Sequence, residues 1–138
     1  MCSRILFPQR PIQVLVADHD SDNRWLCTSL LQRAGHGSVT AEDGQQALAL
    51  LAEYDVDLLL LSIALPPFGG LAILAQLRSA ESTALSGRRQ RVILVTGPSS
   101  PGDLAWLRAA GADGCIARPI DPVCFDHEIA RVLGVTTA

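Results

Sequence analysis

The sequence predicts an α/β protein in which helices cover both faces of a parallel β-sheet. Short apolar runs alternate with longer helical stretches along the chain, the pattern of strands joined by helical crossovers. The run Leu58–Leu61 consists of four leucines and is typical of a strand buried on both faces. The Pro-Pro and Gly-Gly pairs at 66–67 and 69–70 then predict a loop above the sheet, at the edge where ligand sites of such folds lie.

The first strand and helix are predicted from periodicity and a stop signal. Ile12–Ala17 reads as the strand, and a helix is expected from about Asp22 to Ala34, with Leu26 and Leu30 at helical spacing. Gly35 supplies the end of this helix. The candidate N-caps are Asp20, Ser21 and Asp22.

A short edge strand and the central strand come next. The edge strand is predicted around Ser38–Ala41, and Asp43 follows it as the candidate N-cap of a second helix. The central strand is predicted at Val56–Leu61. The apolar face of the second helix consists of Ala47, Leu48 and Leu51.

The second half of the chain continues the alternation. A third helix is predicted from about Gly70 to Ala80, a polar loop at Ser82–Gln90 and a fourth strand at Arg91–Val95. A fourth helix is expected near Pro101–Ala110 and ends at Gly111.

The chain is predicted to end in a strand and a helix, and this helix shows the clearest helical periodicity. The strand is predicted at Gly114–Ala117 and the helix at about Pro122–Leu133. The apolar stripe of that helix is formed by Phe125, Ile129, Val132 and Leu133. We therefore expect one domain over residues 11–134, an N-terminal extension at 1–10, and a tail or the start of a linker at 135–138.

Size and charge favour a cytoplasmic domain that binds neither membrane nor nucleic acid. The 138 residues suit a single domain, and no apolar run approaches the roughly 20 residues of a membrane span. The start of the chain also lacks the apolar core of a signal peptide. The net charge of −3 gives no general attraction to nucleic acid, and the local cluster Arg88, Arg89 and Arg91 is interpreted as a solvated loop face.

The four cysteines are expected to be reduced thiols. Their spacing does not pair them as metal ligands, and two fall in predicted core elements, which disfavours both disulfides and zinc. They are Cys2, Cys27, Cys115 and Cys124.

The central strand and its loop resemble the middle of a response-regulator receiver domain of the CheY-like kind. In that family the third strand ends in a phosphoacceptor aspartate, followed by a hydrophobic-Pro-x-x-x-Gly loop. Leu65-Pro66 to Gly70 matches the loop, and Ser62 stands at the acceptor position. The other positions that match in register are Asp18-His19, Thr96 and Arg118-Pro119.

The resemblance implies the fold and the working parts of a bacterial two-component or phosphorelay domain. The fold is a flavodoxin-like (βα)5 doubly wound sheet with strand order 2-1-3-4-5 and right-handed crossovers. The family's phosphorylation pocket combines the acceptor aspartate, two further acids that help to hold Mg²⁺, a hydroxyl and a lysine. In this chain the corresponding positions hold Ser62, Asp18, His19, Thr96 and Arg118.

These replacements predict a pseudo-receiver without a metal site. His19 and Ser62 each remove a carboxylate, and imidazole is a poor substitute ligand for Mg²⁺, which prefers oxygen. We therefore expect no metal and no cofactor. Asp20 lies one residue beyond the acid pair and is interpreted as a helix cap, although its position also makes it a conceivable ligand.

Serine cannot form the acyl phosphate of the family, so aspartyl phosphorylation is excluded at Ser62. A separate kinase could make a phosphoserine there, but a serine that satisfies its hydroxyl on neighbouring backbone is favoured. A hydrolytic triad of Asp18, His19 and Ser62 is disfavoured because no G-x-S-x-G elbow surrounds the serine. The chain is thus not expected to be an enzyme, and His36 and His127 are predicted to face solvent.

The remaining pocket residues are expected to be structural. Arg118 is predicted to reach Asp18 and fill the vacated metal pocket with an ion pair that holds one conformation. Thr96 is predicted to hydrogen-bond to its own loop, and Cys115, in place of the family's aromatic residue, to be a small core residue.

Function is expected to reside in protein contacts. The resemblance implies an interaction face on the fourth helix, fifth strand and fifth helix, used for an output domain, another protein partner or a homodimer. Its candidate residues are Trp106, Leu107, Arg108, Cys115 and Ile120. Trp106 and Trp25 can equally belong to the core. The alternative function is a pocket repurposed for a small anionic ligand or another signal, with Arg118 as the anion site.

Overall fold

Ten elements alternate strictly between strand and helix. The computed structural model describes residues 11–84, 87–97 and 101–134, apart from the side chains of 101–104. The elements are β1 (Gln13–Ala17), α1 (Ser21–Arg33), β2 (Gly37–Ala41), α2 (Gly44–Glu53), β3 (Leu58–Ser62), α3 (Gly70–Thr83), β4 (Val92–Thr96), α4 (Pro101–Ala109), β5 (Gly114–Ala117) and α5 (Pro122–Leu133). The predicted extension at 1–10, the tail at 135–138 and Cys2 lie outside the described residues.

The strands form one parallel sheet with the order β2-β1-β3-β4-β5, which confirms the predicted fold class and topology. In the register, Val14 of β1 pairs with Leu58 of β3, and Ser62 pairs with Val95 of β4. Because all strands run the same way, their carboxyl ends lie along one edge of the sheet.

The leucines of β3 divide between two core layers. Leu58 and Leu60 pack with residues of α1 and α5, while Leu59 and Leu61 pack with residues of α2, α3 and α4. Each is at most 1% exposed. Burial of a leucine side chain contributes about 2 kcal/mol, so this strand anchors both layers.

Acidic side chains fix the starts of three helices, α1, α2 and α5, and Asp121 caps the last of these through the Val123 N–H. Asp20 accepts a hydrogen bond from the Asp22 N–H at 3.0 Å, which confirms it as the N-cap of α1. Asp43 caps α2 through the Gln46 N–H at 2.8 Å, also as predicted. Gly35, with φ of 84°, follows α1 in the left-handed conformation that is common for a glycine at the end of a helix.

Two elements, β3 and α3, differ from their predicted bounds by two residues or more, for identifiable reasons. Asp57 precedes β3 because its carboxylate accepts the Gln13 N–H at 2.8 Å, so the strand extends from 58 to 62. Helix α3 continues to Thr83. An ion pair between Arg78 and Glu81 at 2.8 Å spans its last turns and supports the extra length.

The prediction that His36 faces solvent is wrong. The side chain is 9% exposed, and its Nδ1 accepts a hydrogen bond from the Ile12 N–H at 3.2 Å. The turn at Gly35 directs the imidazole beneath the start of β1. His127, in contrast, is exposed as predicted.

The three cysteines in the described part of the chain are free thiols in different surroundings. Cys27 is buried in α1, and burial raises its pKa to about 12. Cys115 is half-buried in β5, and Cys124 is exposed on α5. Across the described ranges, none of the helices combines the length and the apolar character that crossing a bilayer requires.

Candidate functional site

The sheet topology brings four of the predicted pocket residues to the same edge. Asp18 follows β1 directly, Ser62 ends β3, Thr96 ends β4, and Arg118 follows β5. Since these are the carboxyl ends of parallel strands, the four side chains lie where doubly wound folds place their ligand sites.

The Asp18 carboxylate is buried and fully engaged. It is 3% exposed. Its Oδ1 accepts the Asp20 N–H at 3.0 Å, and its Oδ2 accepts bonds from Asn23 Nδ2 at 2.8 Å and Arg118 Nη2 at 2.6 Å. Asn23 was not predicted as a pocket residue, although its place in the first turn of α1, after a capping aspartate, directs it back to the strand end.

Arg118 makes the predicted ion pair with Asp18. The same Nη2 also lies 3.2 Å from Ser62 Oγ, so one guanidinium nitrogen contacts the ends of β1 and β3. The backbone N–H of Arg118 donates to the Thr96 carbonyl at 2.8 Å, which ties the arginine to the end of β4. Its Nε is buried without a hydrogen-bond partner among the described residues.

Ser62 is 1% exposed, and its hydroxyl is satisfied locally. Its Oγ accepts the Ala64 N–H at 3.3 Å in addition to the contact with Arg118. The loop behind it is packed tightly, because a Cβ on Gly70 would lie 2.2 Å from the Ser62 carbonyl oxygen. The structure therefore agrees with a serine held by neighbouring backbone.

Thr96 and His19 lie at the margins of this cluster. The Thr96 hydroxyl donates to the Gly97 carbonyl at 2.9 Å, the predicted loop contact, and approaches Cys115 Sγ at 3.8 Å. His19 is 51% exposed, with Nδ1 3.7 Å from Asp18 Oδ1. Ser62 Oγ is bonded to Arg118 and Ala64 instead of an imidazole, so the nucleophile-to-base contact of a hydrolytic triad is not formed.

The donor set does not fit Mg²⁺. A magnesium site needs several oxygen ligands, whereas the cluster offers one carboxylate, Asp18, already paired with Arg118. Asp20 uses its carboxylate to cap α1. Among the residues that the structure describes, no three His, Cys, Asp or Glu side chains are grouped to hold a metal ion.

The residues of the predicted interaction face divide into exposed and buried ones. Trp106 is 58% exposed, and Arg108 is also exposed, which removes the core alternative for this tryptophan. Leu107 and Ile120 are wrong as contact residues, because they are 3% and 9% exposed. Leu107 points inward from α4, and Ile120 packs in the same core layer as Phe125. Trp25, on α1, is 70% exposed.

Glu128 on α5 is a further polar residue of this face that was not predicted. Its Oε2 accepts the Cys115 N–H at 2.8 Å and a bond from Arg131 Nη2 at 2.9 Å. Arg131 also donates to the Asp113 carbonyl. Burial alone would raise the pKa of Glu128, but the bonds from Arg131 and Cys115, with the nearby charge of Arg108, hold it below its ordinary value.

The three arginines after α3 all bond to other groups of the domain. Arg88 lies 2.5 Å from Asp55, Arg89 pairs with Asp113, and Arg91 donates to the Val132 carbonyl. Both Arg88 and Arg89 are more than half exposed. These pairings agree with a solvated loop face.

The five-stranded parallel sheet with the order β2-β1-β3-β4-β5 and helices on both faces has the topology of CheY-like signalling domains. The family model of the response regulator receiver domain matches residues 14–130. The chain belongs to this family, and it is a receiver domain of two-component signal transduction.

The chain is similar to a small part of some long proteins and to nearly the whole of some short ones. The sensory/regulatory protein RpfC of Xanthomonas campestris is 30% identical over 111 residues, which are 80% of this chain but 15% of RpfC. The polar-differentiation response regulator DivK of Brucella anthropi is 29% identical over 90% of this chain and 98% of DivK. The chemotaxis response regulator CheY4 of Vibrio cholerae superposes with a TM-score of 0.77 at 25% identity, over 89% of this chain and 99% of CheY4.

Proposed function

We propose that this chain is an atypical, cytoplasmic receiver domain, a pseudo-receiver, that signals by protein contact without being phosphorylated. The contact of Arg118 Nη2 with Asp18 Oδ2 at 2.6 Å, and with Ser62 Oγ at 3.2 Å, supports this proposal most directly. The cation occupies the space between the acid and the acceptor position, and serine cannot form an acyl phosphate.

The ion pair selects one arrangement of the strand ends. Arg118 contacts Asp18 after β1 and Ser62 at the end of β3, and its backbone is bonded to the end of β4. A buried ion pair adds little net stability, because desolvation offsets its attraction, but it disfavours any arrangement that separates its partners. We infer that Arg118 holds the fixed conformation that a phosphoryl group would otherwise select.

The surface of Trp106, Arg108 and Cys115 is proposed to receive the partner. Receiver domains act through protein partners such as kinases and output domains. Here α4 carries an exposed aromatic ring, Trp106, and an exposed guanidinium, Arg108, which are residue types that often dominate binding energy at interfaces. The partner is an output domain, a kinase module or a second copy of the chain.

The principal test is an attempt to phosphorylate the domain. Purified chain is treated with Mg²⁺ and acetyl phosphate or beryllofluoride, and intact mass and the fluorescence of Trp25 and Trp106 are recorded. We expect no adduct and no saturable Mg²⁺ response, because the site has one carboxylate and that carboxylate is paired with Arg118.

The control restores the family's residues. The triple variant His19→Asp/Ser62→Asp/Arg118→Lys carries both acids, the acceptor and the lysine, and is expected to bind Mg²⁺ and beryllofluoride. Modification of the unaltered chain, mapped to Asp18 or Asp20, would overturn the proposal.

Binding of a small anion is the second candidate function. The Nε of Arg118, buried and without a hydrogen-bond partner among the described residues, favours it, whereas the pairing of the same guanidinium with Asp18 opposes it. Titration with inorganic phosphate, followed by the NMR signals of residues 18, 62 and 118, distinguishes anion binding from a function by protein contact alone. Saturable shifts confined to these residues would support the ligand function.

Self-association of the α4–β5–α5 face is tested separately. If two copies meet through this face, Trp106→Ala is expected to weaken the dimer at least about tenfold, since loss of a buried interface tryptophan typically costs 2 kcal/mol or more. Sedimentation velocity across a concentration series measures it, with Trp25→Ala on α1, outside the proposed face, as the matched control. An effect of equal size in both variants would argue against the face.

A further inference from the structure

His36 lies at the amino edge of the sheet, far from the Asp18 cluster. Its Nδ1 accepts the Ile12 N–H at 3.2 Å, and the next residue, Gly37, donates its N–H to the Ile12 carbonyl at 3.0 Å. Two consecutive residues after α1 therefore hold both backbone polar groups of Ile12, immediately before β1 begins.

The contact between His36 and Ile12 requires a neutral imidazole. Nδ1 can accept a hydrogen bond only when the ring proton is on Nε2, and the protonated ring carries N–H groups at both positions. Protonation of His36 therefore places its Nδ1–H donor against the N–H donor of Ile12. Ile12 is 5% exposed, so water has little access to replace the lost acceptor.

The surroundings of His36 combine apolar packing with one acid. A small cavity beside the ring is lined by residues of α1 and α5, including Leu31, Phe125 and Asp126. Burial lowers the pKa of His36, and the carboxylate of Asp126 opposes that shift. Burial raises the pKa of Asp126, while the charges of Arg33, His127 and His36 oppose it.

We propose that His36 gives this domain a response to pH. On protonation the imidazole releases the Ile12 N–H and is attracted to the Asp126 carboxylate, which loosens the entrance of β1 from the turn after α1. The response is independent of the Asp18 cluster and needs no phosphoryl group. It acts on α5, one of the elements of the proposed interaction face.

The direction of the effect follows from linkage. The folded state binds the His36 proton less tightly than the unfolded state, whose ordinary pKa is 6.5. The stability contributed by neutral His36 is therefore complete above pH 6.5 and is lost as the pH falls toward the lower pKa of the folded state. Burial raises the pKa of Asp126 above its ordinary 3.8, so this carboxyl group loses its charge at a higher pH than an exposed aspartate does.

The experiment is an NMR titration from pH 8 to pH 5. Imidazole ¹⁵N shifts give the pKa of His36, and amide exchange gives the protection factor of Ile12, corrected for the intrinsic effect of pH. We expect a His36 pKa below 6.5, and a loss of Ile12 protection of about tenfold as His36 protonates. A pKa at or above 6.5, or protection that stays constant while His36 titrates, would overturn the proposal.

Three variants identify the groups involved. His36→Asn keeps an acceptor near the position of Nδ1 but cannot titrate, so Ile12 protection should no longer depend on pH. Asp126→Asn should lower the pKa of His36 further, because it removes the opposing charge. His127→Gln should leave the Ile12 response in place. If His36→Asn does not fold, the wild-type and Asp126→Asn titrations still decide the question.

Discussion

Replacing Arg118 with methionine is expected to lower the free energy of unfolding by about 3 kcal/mol, the usual cost of leaving a buried charge without its partner. Methionine preserves much of the packing of the arginine stem but removes the bonds to Asp18 and Ser62. The Asp18 carboxylate, 3% exposed, then retains its hydrogen bonds from Asn23 and the Asp20 N–H and its approach to His19. Urea denaturation followed by circular dichroism measures the loss.

A double-mutant cycle distinguishes the charge from the packing. Asp18→Asn removes the negative charge, and in that background Arg118→Met should cost distinctly less than in the wild type. If the two substitutions are additive, or if Arg118→Met alone costs under about 0.5 kcal/mol, the ion pair does not fix the pocket.

Gly70→Ala is expected to destabilise the domain by about 3 kcal/mol, at the upper end of the usual cost of overpacking. The added Cβ would lie 2.2 Å from the Ser62 carbonyl oxygen and 3.1 Å from Ile63 Cα. Both neighbours are backbone atoms, so either β3 or the start of α3 must move. Because Ser62 ends β3, we also expect the NMR signals of Ser62 and Arg118 to shift.

Gly97→Ala is the matched control. Gly97 follows β4 at the same edge of the sheet, its φ is not positive, and a Cβ there meets no atom of the described residues within 4 Å. Its substitution should change the free energy of unfolding by no more than about 0.5 kcal/mol. Equal effects of the two substitutions in thermal and urea unfolding would show that the clash at Gly70 is not responsible, because reduced flexibility of the unfolded chain would by itself stabilise the fold.

Local patterns in the sequence were sufficient for the elements of this fold. The leucine run located β3, acidic residues before helical periodicity located the N-caps of α1 and α2, and Gly35 located the end of α1. The strand order came from resemblance to a family, because periodicity does not specify which strands are neighbours. Once the order was known, the approach of Arg118 to Asp18 followed from their places at strand ends.

Long-range contacts explain what the sequence did not reveal. Arg78 donates to the carbonyls of Gly111 and Gln90, residues far along the chain, and no local motif marks it. His36 follows a helix-ending glycine, a position usually exposed, and its Nδ1 accepts the Ile12 N–H across 24 residues, a contact that no local pattern marks. Ile120 was misassigned because its strand-end position does not show that it packs against α5.

The contacts of Glu128 and Arg131 also limit how this domain can assemble. β5 is an outer strand, and such strands can recruit a strand from another chain through their free N–H and C=O groups. Here the Cys115 N–H is bonded to Glu128, and the Asp113 carbonyl to Arg131. These two bonds engage backbone groups at the outer side of β5 and so disfavour extension of the sheet by a strand from another chain.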